Sequence, residues 1–172
     1  MDVLHKHSIR KAKPTDAQAI AKVQIAAWQA AYQNILPADF LAAMTIEKCT
    51  TNWTAALTTD NPGQYLVVEY NNEIIGFSCF GPARDSDLPA SAAELVGINI
   101  HPLYWQKQLG SQLLAAIIEQ LKTQYQNLYL WVAADNSRAI HFYQKHGFMV
   151  DGKQKNQPLH ANILEIRMKL TI

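Results

Sequence analysis

The sequence predicts an α+β domain built on one mixed sheet, and three observations carry that reading. Short apolar runs of strand length are interspersed with stretches of helical periodicity. The elements follow the order strand, helices, three strands, helix, strand, helix, two strands. One passage, from ELVGINI through a helix to NLYLWVA, requires a parallel crossover. With 172 residues, 49% of them hydrophobic, the chain suits a single domain over 1–172 with a full core.

Each element has a local reason. Residues 7–13, HSIRKAK, alternate as a short strand does, and Pro14, Thr15 and Asp16 then supply turn and helix-cap chemistry. In the helix that follows, Ile20, Val23, Ala27, Trp28 and Ala31 recur at helical spacing as far as Tyr32. After the NILP break come a helical stretch with Phe40, Leu41 and Met44, and a third short helix marked by Trp53, Ala56 and Leu57. QYLVVEY and EIIGFSCF flank Asn71 and Asn72, whose side chains tolerate the left-handed backbone of a tight hairpin. GPARDSDLPASA is a polar loop whose Arg84, Asp85 and Asp87 are expected to be solvated.

ELVGINI is a strand that stops at His101 and Pro102. Leu109, Leu113, Leu114, Ile117, Ile118 and Leu121 then form one apolar helical face, and NLYLWVA follows as a strand. A helix from Ser137 to His146 ends at Gly147 in the C-terminal capping position. From Phe148 onward the chain reads as two strands, with NILEIRMKL alternating apolar and charged residues.

Bulk properties exclude several classes. Fifteen basic and fourteen acidic residues give a net charge of +1, which is no footprint for nucleic acid or an anionic membrane. MDVLHKHSIRK lacks the apolar segment of a signal peptide, and no stretch approaches the roughly 20 apolar residues of a membrane span, so a cytoplasmic location is expected. Two cysteines and six histidines stand in no ligand spacing, so neither a disulfide scaffold nor a metal is expected. GFSCF around Ser78 lacks the second glycine of a nucleophile elbow, and no phosphate-binding G-x-x-x-x-G-K-[ST] occurs.

The chemistry concentrates in ELVGINIHPLYWQKQLGSQLLAAIIEQL. A strand ending at Pro102, a loop and a helix opening near Leu109 bring unpaired backbone N–H groups and a positive helix end to one point, where a phosphate or pyrophosphate fits. Here the residues resemble the GCN5-related N-acetyltransferase (GNAT) superfamily, whose pyrophosphate motif Q/R-x-x-G-x-G/A is occupied by WQKQLG, Trp105 to Gly110. A second segment, LWVAADNSRAIHFYQKHGF, matches the family's strand followed by N-x-x-A-x-x-F-Y at Asn136, Ala139, Phe142 and Tyr143, then Gly147 and Phe148. Together the segments cover roughly residues 94–150.

The resemblance implies a central, mostly antiparallel, twisted sheet of seven strands flanked by helices, with one parallel strand pair splayed apart. It implies acetyl-CoA as co-substrate in the gap, with the pyrophosphate on backbone amides of Gln106, Lys107, Gln108, Leu109, Gly110 and Ser111. Pantetheine would run along Ile98 and Ile100, with Asn136 and Tyr143 lining the gap. Two positions differ from the motif: Trp105 replaces the usual Arg or Gln, and Gln108 replaces the first Gly. Gln108 therefore either adopts a conformation that glycine takes more easily or reshapes the loop.

An alkylamine with a pKa of about 10.4 is protonated at neutral pH, so acetyl transfer to it needs a proton acceptor. Glu94 is the candidate, since it stands as far from Gly110 as the general base does from the last motif glycine in histone-modifying members; the plainer reading is an exposed carboxylate at a strand start. Tyr143 would protonate the departing thiolate or hold its sulfur by a hydrogen bond, while an amide near Ile98 to Ile100 polarises the carbonyl. Trp28 and Tyr32, one helical turn apart, either wall an acceptor pocket or belong to the core. His141 and His146 are expected to face solvent. The expected function is acetyl-CoA-dependent N-acetylation of a primary amine, on a small molecule or protein, by direct attack in a ternary complex. The chain would act as a monomer or homodimer; the alternative is a non-catalytic CoA-binding or regulatory module of the same fold.

Overall fold

Asn71 and Asn72 both take positive φ, 49° and 62°, and form the expected link between β2 (Gln64–Tyr70) and β3 (Glu73–Pro82). The computed structural model describes residues 7–60, 63–157 and 162–172. Around that hairpin, β1 (His7–Lys11) pairs with β2 and β4 (Ala92–Ile100) with β3, both antiparallel. β5 (Asn127–Ala133) lies parallel to β4, and β7 (Ile163–Thr171) and β6 (Met149–Gln157) complete a seven-stranded sheet of order β1-β2-β3-β4-β5-β7-β6. The mixed, mostly antiparallel sheet expected from the sequence is thus present.

Helices cover both faces. α1 (Ala17–Tyr32), α2 (Ala38–Ala42) and α3 (Ile46–Thr58) precede β2, and Ile20 and Val23 of α1 pack with Val67, Phe77, Trp53 and Leu57. On the opposite face α4 (Leu109–Leu121) buries Leu109, Leu113, Leu114, Ile117 and Leu121 against Leu66, Val68 and Leu95. At roughly 2 kcal/mol for each buried aliphatic side chain, that stripe contributes on the order of 10 kcal/mol before entropy. Packing of this size holds α4 in place even where its first turn is poorly satisfied. α5 (Ser137–Lys145) adds Tyr143 to the same core and ends at Gly147, whose φ of 88° fits the predicted cap.

Two departures from regular strand geometry create the site. β4 and β5 pair only where Ala92, Ala93 and Glu94 meet Asn127, Leu128 and Tyr129, so residues 95–100 and 130–133 flank a gap. β4 also carries a bulge: Cys79 pairs with Gly97 and Phe80 with Leu95, leaving Val96 without an opposite residue and half exposed. The side-chain period records this directly. Ala93 and Leu95 face the α4 core before the bulge, and Ile98 and Ile100 face it afterwards.

Candidate active site

The first lip of the gap runs from β4 into α4. His101 Nδ1 accepts from the Leu103 N–H at 3.3 Å, and the Tyr104 and Trp105 amides bond back to His101 and Pro102. The Trp105 indole N–H donates to the Ile100 carbonyl at 2.7 Å, closing the loop on the strand end. Gln106 and Gln108 then both take positive φ, 62° and 60°, so Gln108 adopts a left-handed conformation that glycine takes more easily. Among the described residues no side chain caps α4, and its first-turn amides at Leu109, Gly110 and Ser111 lie where an anion can use them. Lys107 is exposed, with its ammonium 5.0 Å from the Tyr104 ring centre.

The second lip runs from β5 into α5 and is differently made. Asn136 is buried, and its side-chain oxygen accepts from the Ala139 N–H at 3.1 Å, capping the helix. The two helices come close at Gly110, where an added Cβ would stand 3.4 Å from the Phe142 ring, in ordinary van der Waals contact. Ser111 Oγ and His146 Nε2, 2.9 Å apart, join the helices again. His146 is therefore not simply solvated, and burial together with the Lys145 charge holds it below the usual histidine value. Both helix N-termini follow the carboxyl ends of the parallel pair, so two positive helix ends serve one mouth.

Tyr143 of α5 is buried in the core against Phe142 and Phe148, at centroid distances of 5.3 and 5.4 Å. Burial, and then the nearby Tyr32, push its hydroxyl well above the tyrosine range. Tyr32 packs against Trp28 with ring centres 5.0 Å apart and the rings tilted, and burial pushes its hydroxyl above the usual tyrosine value. Trp28 and Tyr32 thus share one face at the C-terminal end of α1, as their spacing predicts.

Glu94 sits at the point where β4 and β5 part, 6% exposed. Both of its oxygens are engaged by Arg84, at 2.6 and 2.9 Å, and the Arg84 backbone N–H approaches at 3.3 Å. Arg84 remains largely exposed while Glu94 is not, so the guanidinium is the partner free to move. Beside this pair, on the α1–α3 face, a cavity of about 490 Å³ is lined by Gln24, Trp53, Tyr65, Cys79, Arg84 and Val96, among others. Trp28 and Tyr32 are not in its wall. The indole N–H of Trp53 donates to Gln24 at 2.7 Å, and burial pushes the Cys79 thiol up to about 12, which keeps it protonated.

Sequence reading missed the polar clamp below the site. Arg167, 4% exposed, donates to Asp151 at 2.7 Å, to Asp87 at 2.9 and 3.1 Å, and to Asp85 at 3.1 Å. Trp131 donates to Asp85 as well, at 2.9 Å. Asp85, Asp87 and Arg84 are consequently ion-paired, not free in solvent as expected. Among the described residues no group of three or more His, Cys, Asp or Glu is placed to hold a metal ion, and no helix is long and apolar enough to cross a membrane.

A seven-stranded mixed sheet split at one parallel pair, with an uncapped left-handed turn at its mouth, is the fold of the N-acetyltransferase class. The model for the acetyltransferase (GNAT) family matches residues 24–148, and the chain belongs to that family and is an N-acetyltransferase. The chain is 28% identical over 138 residues to the uncharacterized N-acetyltransferase YuaI of Bacillus subtilis (strain 168), covering 80% of this chain and 77% of that one. It is 32% identical over 88 residues to the spermine/spermidine N(1)-acetyltransferase of the same organism, covering 49% of this chain and 58% of that one. Its fold matches the PaiA N-acetyltransferase of Thermoplasma acidophilum, crystallised with coenzyme A, at a TM-score of 0.77 and 21% identity over 97% of this chain and 99% of the other.

Proposed function

We propose that this protein transfers the acetyl group of acetyl-CoA to a primary amine by direct attack in a ternary complex. The split between β4 and β5, with the uncapped α4 turn at its mouth and a separate cavity bordered by Val96 at the bulge, carries this reading. It offers room for two substrates that meet at the bulge. Acetyl-CoA, when bound, supplies an activated thioester. The amides of residues 106–111 would hold its pyrophosphate, with Ile98, Ile100, Asn136 and Tyr143 along the gap.

Past Glu94 the β4 edge has no β5 partner, so its backbone amides near Ile98 to Ile100 are available to a carbonyl oxygen. Tyr143 serves as a hydrogen-bond donor to the departing sulfur. A thiol titrates at about 8.5 and this phenol well above 10, so complete proton transfer from the phenol would run uphill. Glu94 serves as the proton acceptor for the amine, directly or through a water, once the exposed Arg84 guanidinium gives way. An arriving ammonium can replace the exposed Arg84 as partner, leaving the carboxylate to receive the proton. Trp53 and Tyr65 in the cavity wall favour an alkylammonium by cation–π attraction, and the polyamine acetyltransferase among the relatives supports that acceptor class.

The test is the melting temperature with and without acetyl-CoA, followed by amine-dependent CoA release from a panel of spermidine, amino acids and peptides. A ligand at 100 times its dissociation constant adds about 2.7 kcal/mol, so a clear rise is expected. No rise and no release would overturn the proposal. Glu94→Gln is expected to lower the rate on the order of a hundredfold, most at lower pH, where the amine is most protonated; an unchanged pH–rate profile removes Glu94 from the proton path.

A further inference from the structure

We propose that Arg138 supplies, from the opposite lip, the phosphate-binding cation that the loop lacks at Trp105, and that the Trp105 indole is the platform that aims it. This rests on the acetyl-CoA reading above. The motif's first position commonly holds Arg or Gln, and here it holds an indole whose N–H is already committed to the Ile100 carbonyl. That bond fixes the ring and leaves its face to be covered. Arg138, in the first turn of α5, lays its guanidinium 3.3 Å from the ring centre.

The chain has four arginines, and the other three, Arg10, Arg84 and Arg167, each hold a carboxylate. Among the described residues no carboxylate pairs with Arg138. A lone exposed arginine is ordinary, but one pinned on an aromatic face is pre-organised. Stacking uses the flat face of the guanidinium and leaves the N–H groups at its edge, in the geometry that grips phosphate oxygens two at a time. The pair also spans the mouth, because Trp105 belongs to the β4 lip and Arg138 to the β5 lip. The charge lost from one side of the cradle is thus restored from the other, beside the positive end of α5.

Calorimetric titration of the full chain with acetyl-CoA tests this, with S-acetylpantetheine, which lacks the phosphates, as a second ligand measured by competition. Arg138→Met, which keeps a stem to cover the indole but removes the charge, is expected to raise the acetyl-CoA dissociation constant about tenfold, or ~1.4 kcal/mol. S-acetylpantetheine binding should be unchanged. Arg138→Lys should fall between parent and Met, and adding Trp105→Arg to Arg138→Met should recover much of the loss by returning the cation to the motif. An unchanged acetyl-CoA constant in Arg138→Met, or equal weakening of both ligands, would overturn the inference while leaving the acetyl-CoA reading intact. Absence of any acetyl-CoA binding by the parent protein would overturn both.

Discussion

The two lips of the split sheet begin their helices in opposite ways. α5 opens on a buried Asn136 whose side chain answers the Ala139 amide, whereas α4 opens on an exposed Gln108 held left-handed with no side-chain cap. A cap contributes about 1 kcal/mol, and a left-handed non-glycine residue costs about 1–2 kcal/mol. The β4 lip is therefore less satisfied than the β5 lip by a few kcal/mol. Unmet amide donors and local strain gathered at one helix end are what an anion site requires, while the completed lip holds Tyr143 and Asn136 still.

The largest test of this contrast acts on the completed side. Tyr143→Phe removes one hydroxyl from a packed pocket and is expected to lower kcat roughly 10- to 100-fold, as loss of a hydrogen bond to a charged group does, with acetyl-CoA affinity nearly unchanged. Equal losses in turnover and in calorimetric affinity would make the residue part of binding rather than of the chemical step. Next, Arg167→Met leaves Asp85 and Asp151 facing each other without their cation and is expected to cost about 2 kcal/mol in denaturant unfolding. The parent should also lose stability in acid. Arg167 holds Asp87 down to about 2, so this contribution is complete above the unfolded carboxylate value near 3.9 and fades as pH falls toward about 2. The variant should show less of that fade.

Smaller effects should have opposite signs on the two lips. Asn136→Ala is expected to lower the melting temperature by about 3 °C, equivalent to about 1 kcal/mol. Gln108→Gly should raise stability by up to about 1 kcal/mol, because glycine takes the existing φ of 60° without strain. Its effect on acetyl-CoA affinity should stay within about threefold, under 1 kcal/mol, since glycine can keep the existing left-handed φ. A fall in stability would mean that the Gln108 side chain holds the loop.

Most elements were legible because their causes are local. Asn71 and Asn72, Gly147 and the α4 stripe each state their backbone or packing role within a few residues. The turn from β4 into α4 was equally plain, though not that Gln108 would take a left-handed conformation. What escaped depends on partners outside the local stretch: Arg167 with Asp85 and Asp87, Trp131 with Asp85, Arg84 with Glu94. Nothing periodic marks such pairs. The Val96 bulge left a readable trace, since Ala93, Leu95, Ile98 and Ile100 break strict alternation by one residue, yet a uniform strand fits ELVGINI almost as well.

Arg167 has a mechanical consequence. It rivets the β3–β4 loop, through Asp85 and Asp87, to β7 and, through Asp151, to β6. The clamp therefore reaches β5 at Trp131, two residues past Tyr129, where that strand has already parted from β4. The β3–β4 loop thus spans the start of the gap, and the split is braced by Asp85 on Arg167 and Trp131 as well as by the three paired residues at its base.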